Sequence, residues 1–405
     1  MKHFSAKTNI LFALIVFFGY FCSDKLIVTM KIVYVTDAFA VWGGIERVLA
    51  DKMNVLARLY GWEVTLITTN QGGHSLRHEL HTIIGHIDLD VRMHQQYKFH
   101  GIHKILIKHE LEKMLKERLN KTLMEIKPDV VVCAKLDYVR ALVKLNGDIP
   151  IVVESHTLCH SEKMDEVGLL RRLYISSLKR NVRRADAVVA LTEGDAIDWK
   201  DYNENVLVIP NVVNLNNIGS YASCEKKSVI YVGRFSKQKD IDSLLKVWAI
   251  IYQQYPDWRL DIYGEGELKV HYLSIIQKMS ANIHVYEPTA NIMEVYREHS
   301  ILLLTSLYEP FGLVLPEAMS CGLPVVAFDC PYGPADIITD GVDGFLIKDR
   351  NVELFAQRVS QLISDYDLRV QMGKAAVISS QRYQASRIMP QWIQLFEQLT
   401  SFRGK

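Results

Sequence analysis

Two carboxylates eight positions apart, Glu309 and Glu317, stand in the stretch SLYEPFGLVLPEAMSCGLPVVAFDCPYGP, residues 306–334. Glu309 falls on a loop marked by Pro and Gly, and Glu317 lies inside the apolar, helix-forming run that follows. If that helix begins near Phe311, the amides of Phe311, Gly312 and Leu313 face an anion with the positive end of the helix dipole behind them. Glu309 is then placed to accept hydrogen bonds from sugar hydroxyls, and Glu317 to accept two from the vicinal hydroxyls of a ribose. A helix with an acidic first turn and no ligand satisfies the same pattern. A glycosidase pair does not, because its carboxylates must flank a scissile bond, which one short segment supplies poorly.

A second constellation is VGRFSKQKDI, where Arg234 and Lys239 stand five residues apart after an apolar run. The planar guanidinium suits two phosphate oxygens and the ammonium adds a compact charge, so the pair can neutralise a pyrophosphate leaving group. Lys237 lies close enough to share that role, and a solvated pair capping a loop is the plain alternative. A third is Gly43-Gly44 in AVWGGIERVL, ahead of a helical stretch that includes Glu46. Two glycines leave backbone N–H groups open to a phosphate. The G-x-G-x-x-G spacing of a dinucleotide dehydrogenase is missing there.

The elements that must carry these residues alternate along the chain. Short β-branched runs are expected as strands at 31–36, 63–68, 129–133, 150–153, 186–191 and 206–209, separated by stretches of helical period. A polar segment at 214–227 reads as linker. The alternation restarts at 228–232 and continues at 259–263, 283–285, 301–304, 324–327 and 344–347. This is α/β organisation: two Rossmann-like, doubly wound domains with a cleft between them, facing the carboxyl ends of both sheets. The boundaries expected are an apolar leader over 1–29, a first domain over 30–211, a linker over 212–227, a second domain over 228–385 and a C-terminal helix over 386–405 that packs back on the first domain. The motifs follow strands, as such a cleft requires.

Glu309 and Glu317 in EPFGLVLPEAMSCGLPVV, Arg234 and Lys239 in VGRFSKQKD, the later YGEGEL and the early GGIERVL, in this order along the chain, together resemble the retaining GT-B glycosyltransferases of family 4. The resemblance runs from about Met30 to the C-terminus. It implies that Glu317 holds the ribose of a nucleoside-diphosphate sugar, that Glu309 sits by the transferred sugar, and that Phe311, Gly312 and Leu313 give backbone donors to the sugar or diphosphate. It likewise implies that Arg234 and Lys239 hold the diphosphate, that Gly43 and Gly44 face it from the first domain, and that His156 reaches the sugar from the opposite wall. Glu309, His156, Arg234 and Lys239 are therefore the candidate catalytic set. Such enzymes transfer a hexose or N-acetylhexosamine with retention, without a metal or other cofactor, to a glycan or lipid-linked acceptor. Asp240 departs from the family pattern, which usually has Gly after the lysine. DCPYGP, residues 329–334, resembles members that build surface polysaccharides. A sugar-nucleotide epimerase on the same two-domain scaffold is the alternative activity, and a non-catalytic sugar-nucleotide binder a third.

Composition agrees with an enzyme rather than a nucleic-acid partner. The 405 residues carry 47 Lys plus Arg against 46 Asp plus Glu, so no basic excess is available for a phosphate backbone. Six cysteines are scattered without a CxxC pair, which fits free thiols in a reducing, cytoplasmic setting. The apolar run from Ile10 to Cys22 is short for a spanning helix and is readable as a cleaved signal, an anchor at the inner face of the membrane, or translated sequence ahead of a start at Met30; the last is the reading adopted. His156, Cys159 and His160 have the spacing of one helix face, yet a fourth metal ligand is missing, so no metal site is assigned. Eight of the 14 histidines fall between 74 and 109, a region read as solvated and variable. The amphipathic, basic stretch 102–126 suits either peripheral membrane contact or packing on a sheet.

Overall fold

The computed structural model describes residues 29–41, 43–145, 148–157, 159, 169–213 and 220–401. The leader through residue 28, His160 and most of the linker's first half, 214–219, lie outside the described residues.

Thirteen strands form two parallel sheets among the described residues. The first sheet holds β1 (Lys31–Thr36), β2 (Glu63–Thr68), β3 (Gly85–Asp88), β4 (Val130–Cys133), β5 (Ile151–Glu154), β6 (Ala187–Ala190) and β7 (Val206–Val208) in the order β3-β2-β1-β4-β5-β6-β7. The second holds β8 (Ser228–Val232), β9 (Arg259–Tyr263), β10 (Ile283–Tyr286), β11 (Ile301–Leu304), β12 (Val325–Phe328) and β13 (Gly344–Ile347) in the order β10-β9-β8-β11-β12-β13. Helices cover both faces, so the central strands β4, β5, β6, β11 and β12 are buried along their whole length, as parallel sheets require. Strand order reverses between β1 and β4 in one sheet and between β8 and β11 in the other. Open α/β sheets bind ligands beyond the carboxyl ends at such a reversal.

The twelve strands expected from the sequence form, within a residue or so at their ends. The thirteenth, β3, was not expected. Its sequence, GHID, is an exposed edge with no apolar alternation, and it is held by pairing Thr65–Thr68 of β2 with Gly85–Asp88.

The C-terminal helix Ala385–Ser401 crosses to the first domain. Its Trp392 ring lies 4.4 Å from the Lys52 ammonium, and Phe396 meets Trp62 at 6.0 Å between ring centroids.

Candidate active site

A single cleft of about 1130 Å³ lies between the carboxyl ends of the two sheets, and it gathers all ten residues singled out in the sequence: Gly43, Gly44, His156, Arg234, Lys239, Glu309, Phe311, Gly312, Leu313 and Glu317. Lys237 does not line it; the residue is exposed in the short turn Lys237–Lys239.

On the second-domain wall, the loop after β8 brings Lys239 into an ion pair with the buried Glu309. Ser306 Oγ donates to the same carboxylate oxygen at 2.6 Å. Three backbone hydrogen bonds fix the Glu309 loop: its N–H donates to Pro331 O at 2.7 Å, and its carbonyl accepts from Tyr332 and Gly333, each at 3.0 Å. Arg234 is exposed on the cleft wall, and its guanidinium meets no carboxylate among the described residues. The glycines of YGEGEL let the loop after β9 lie against this turn, since a Cβ on Gly264 would collide with the Gly233 carbonyl.

Asp240, where the family has Gly, takes the left-handed conformation at φ 44°. Its carboxylate accepts from Ser243 N at 3.2 Å, capping the helix Ile241–Gln254, and pairs with Arg350. Arg350 also donates to the carbonyls of Thr305 and Ser306, each at 2.8 Å, which ties the Lys239 turn to the Glu309 loop. A short polar side chain tolerates this conformation when it bonds locally. The departure therefore leaves the turn intact.

The helix after Glu309 starts later than expected. It spans Val314–Ser320, with Leu313 at its N-cap, rather than beginning near Phe311. The reason is Gly312, whose φ of 86° is open to glycine and strained for other residues, so the chain turns sharply before it coils. The consequence is a bend at which the amides of Phe311, Gly312 and Leu313 have no acceptor among the described residues, while all three residues line the cleft.

Glu317 is buried in the first turn of this helix and is met by a residue that the sequence reading passed over. Arg47, three positions after Gly44 on the helix Gly44–Leu59, puts Nη1 3.0 Å from Glu317 Oε1. Tyr296 donates to the other oxygen at 3.2 Å. Burial pushes the Glu317 carboxyl up, and Arg47 and then Tyr296 offset this only in part. The same pairing pushes the guanidinium up. Gly44 completes the approach of the walls: a Cβ there would stand 3.2 Å from Leu313 Cδ1.

On the first-domain wall, His156 follows β5. Its Nε2 lies 3.3 Å from Glu154 Oε1, and Glu154 in turn pairs with Lys52, all three buried. Burial alone would raise the Glu154 carboxyl, but Lys52 and then His156 outweigh it and hold it at about 2. Glu154 and Lys52 are also absent from the sequence reading. His156 does not stand on a helix, because residues 155–157 are not helical, and His160 lies outside the described residues. Instead Ser155 Oγ donates to Thr157 O at 2.6 Å, and Cys159 N donates to Asp195 at 2.8 Å. Among the described residues no cluster of three or more His, Cys, Asp or Glu is placed to hold a metal.

The cleft thus carries cations and open amides on one wall and a buried histidine on the other. Residues 219–377 match the family model "Glycosyl transferases group 1", and residues 42–217 match "Glycosyltransferase Family 4". The chain belongs to the family 4 glycosyltransferases, with the GT-B fold. It is 28% identical over 359 residues to an uncharacterized glycosyltransferase of Haemophilus influenzae, covering 86% of this chain and 95% of that one. It is 34% identical over 222 residues to the amylovoran biosynthesis glycosyltransferase AmsD of Erwinia amylovora, covering 51% of this chain and 61% of the relative. A crystal structure of Staphylococcus aureus TarM in complex with fondaparinux, alpha-GlcNAc-glycerol and UDP superposes with a TM-score of 0.77 at 17% identity, covering 91% of this chain and all of that one; at this identity the likeness concerns the fold.

Proposed function

We propose that the protein transfers a hexose or N-acetylhexosamine, with retention and without a metal or other cofactor, from a nucleoside-diphosphate sugar to a glycan or lipid-linked acceptor in surface-polysaccharide synthesis, on the cytoplasmic side of the membrane. One observation carries the reading: Arg234, without a carboxylate partner among the described residues, lines the same cleft as the open amides of Phe311, Gly312 and Leu313. An exposed guanidinium and unbonded amides at one place form a receptor for negative charge. The AmsD relative supports the polysaccharide assignment and the UDP-bound TarM fold supports a nucleotide donor. Five buried free thiols, Cys133, Cys159, Cys224, Cys321 and Cys330, are in keeping with a reducing compartment. No helix among the described residues is long and apolar enough to cross a membrane.

In this reading the ribose meets Glu317, the diphosphate lies against Arg234, Lys239 and the amides, and Gly43 and Gly44 let the first domain approach it. The bond between the anomeric carbon and the phosphate oxygen breaks with its electron pair leaving on the phosphate. Arg234, Lys239 and the amides stabilise that developing charge, the dominant contribution in such a site. The acceptor oxygen bonds to the anomeric carbon on the same face and gives its proton to the departing phosphate. Glu309, held by Lys239 and Ser306, positions the sugar, and His156 closes the other side.

The test is a thermal-shift screen of UDP, GDP and ADP sugars, because a ligand that binds only the folded state raises its apparent stability. It is followed by turnover with the donor found and by NMR of the product's anomeric configuration. Arg234→Ala is expected to fold normally and lower kcat/KM by about a hundredfold or more. Epimerisation of the donor incubated alone, or unchanged turnover in both Arg234→Ala and Glu317→Ala, would falsify the assignment.

A further inference from the structure

The stretch Tyr97–His109, YKFHGIHKILIKH, contains three lysines and three histidines and no acidic residue. It runs from the turn Met93–Lys98 into the helix Gly101–Ile126. Most of that helix is accounted for by the core of the first domain: Leu111, Leu115, Leu119 and Leu123, spaced by four, are buried in it. The beginning of the helix is different. Ile102, Ile105 and Leu106 are 73%, 68% and 58% exposed, and Tyr97 and Phe99 beside them are 68% and 39% exposed.

Ile102, Ile105 and Leu106 stand at i, i+3 and i+4, so they share one helix face. Scattered exposed apolar residues need no explanation, but five large ones on a single turn and helix start form a patch, and contiguous patches mark interaction surfaces. The charge around it narrows the partner. Lys98 and Lys104 flank the apolar tips, with Lys104 Nζ 4.9 Å from the Tyr97 ring, while Lys108 further along the helix pairs with Glu112 at 3.7 Å. An aromatic and aliphatic tip flanked by lysines has the composition of an element that lies in the bilayer interface, apolar side chains among the acyl chains and lysines at the phosphates.

We propose that Tyr97–Lys108 docks the protein on a bilayer carrying anionic headgroups. The contact is confined to the end of the helix. Further along the helix the leucines spaced by four are turned to the core of the first domain. The inference is independent of the sugar donor and of the transfer chemistry.

The purified full chain is tested by flotation with vesicles of phosphatidylcholine alone and with an equal part of phosphatidylglycerol. Each lysine near an anionic surface is worth enough that Lys98 and Lys104 together predict binding on the order of thirtyfold tighter to the mixed vesicles, weakening with added salt. The double variant Ile102→Glu, Ile105→Glu, at exposed positions remote from the core, is expected to keep the native circular dichroism and turnover of a water-soluble acceptor while losing vesicle binding by about tenfold or more. Lys98→Glu with Lys104→Glu is expected to erase the preference for the mixed vesicles. Equal binding by wild type and the isoleucine variant, or equal binding to both vesicle types, overturns the proposal. A concentration-dependent dimer in ultracentrifugation that the isoleucine variant dissolves does so too, since it assigns the patch to a second copy.

Discussion

Replacing Lys52 by Met removes the cation from a carboxylate that has no route to water. Lys52 and Glu154 are both buried, and beyond Lys52 the carboxylate lies 3.3 Å from His156 Nε2. Against its burial, the Glu154 carboxyl is held below its ordinary range by Lys52 and His156, while burial lowers the Lys52 ammonium, so the pair pays desolvation on both sides. Breaking a buried pair by deleting one partner costs about 3–5 kcal/mol, because the other charge stays behind uncompensated. Lys52→Met and Glu154→Gln should therefore each lower the urea-unfolding free energy of the first domain by roughly 3 kcal/mol. The double variant, which leaves no lone charge, should recover at least about 2 kcal/mol relative to the sum of the two, as a double-mutant cycle reads directly. The sign with pH follows from the depressed carboxyl. Its stabilisation is fully present above the unfolded value of 4.5 and is lost as pH falls toward about 2, so wild type should lose stability through that window and Glu154→Gln should not. Single-variant losses that add within about 0.5 kcal/mol would show that the pair is not the coupled unit described here.

Gly312→Ala places a Cβ at φ 86° and should cost about 1–2 kcal/mol of strain, relieved by turning the Phe311–Leu313 amides; calorimetry should find diphosphate affinity down by about tenfold with the fold retained. Glu317 is a carboxyl raised by burial and only partly restored by Arg47, so nucleotide binding should weaken on acidification as Glu317 takes up a proton. Arg47→Ala should move that weakening to higher pH, and a nucleotide affinity profile unchanged by the substitution counts against a ribose at Glu317. Cys133, Cys159 and Cys330, raised by burial to about 12, and Cys224 and Cys321, raised to about 11, should all resist alkylation in the native protein at mildly alkaline pH and react together in urea; peptide mapping that finds one of them labelled natively contradicts the burial described.

What the sequence made legible follows from range. β8 and β11 are continuous apolar runs bounded by polar turns, and the motifs come directly after them, so local pattern suffices to place Arg234 and Glu309 at the carboxyl ends of strands. β3 escaped because an exposed edge strand such as GHID carries no alternation to read. The helix start was misplaced because a glycine's φ is not encoded in the pattern of its neighbours, and Gly312 delays the first turn to Val314. Arg47 was within reach: it lies one helical turn beyond Gly44, on the face that must look into a cleft if Gly44 does. Glu154 and Lys52 were not, since a pair 102 positions apart is brought together by the parallel sheet and its covering helix rather than by any local period.

Both walls of the cleft are completed from the opposite domain, and this ties chemistry to assembly. Glu317 belongs to the second domain and is paired by Arg47 of the first. Lys52 belongs to the first, and the ring above it is Trp392, from the helix that the second domain sends back. Tyr332, whose backbone N–H donates to the Glu309 carbonyl, reaches Asp198 of the first domain. Parting the domains would separate Glu317 from Arg47 and let water reach the Lys52–Glu154 pair behind His156, so both pairings keep their low-dielectric surroundings only while the cleft is closed. The charged groups that face the substrate are thus also groups whose environment is set by docking, and a substitution in this set is expected to act on domain docking and on transfer together.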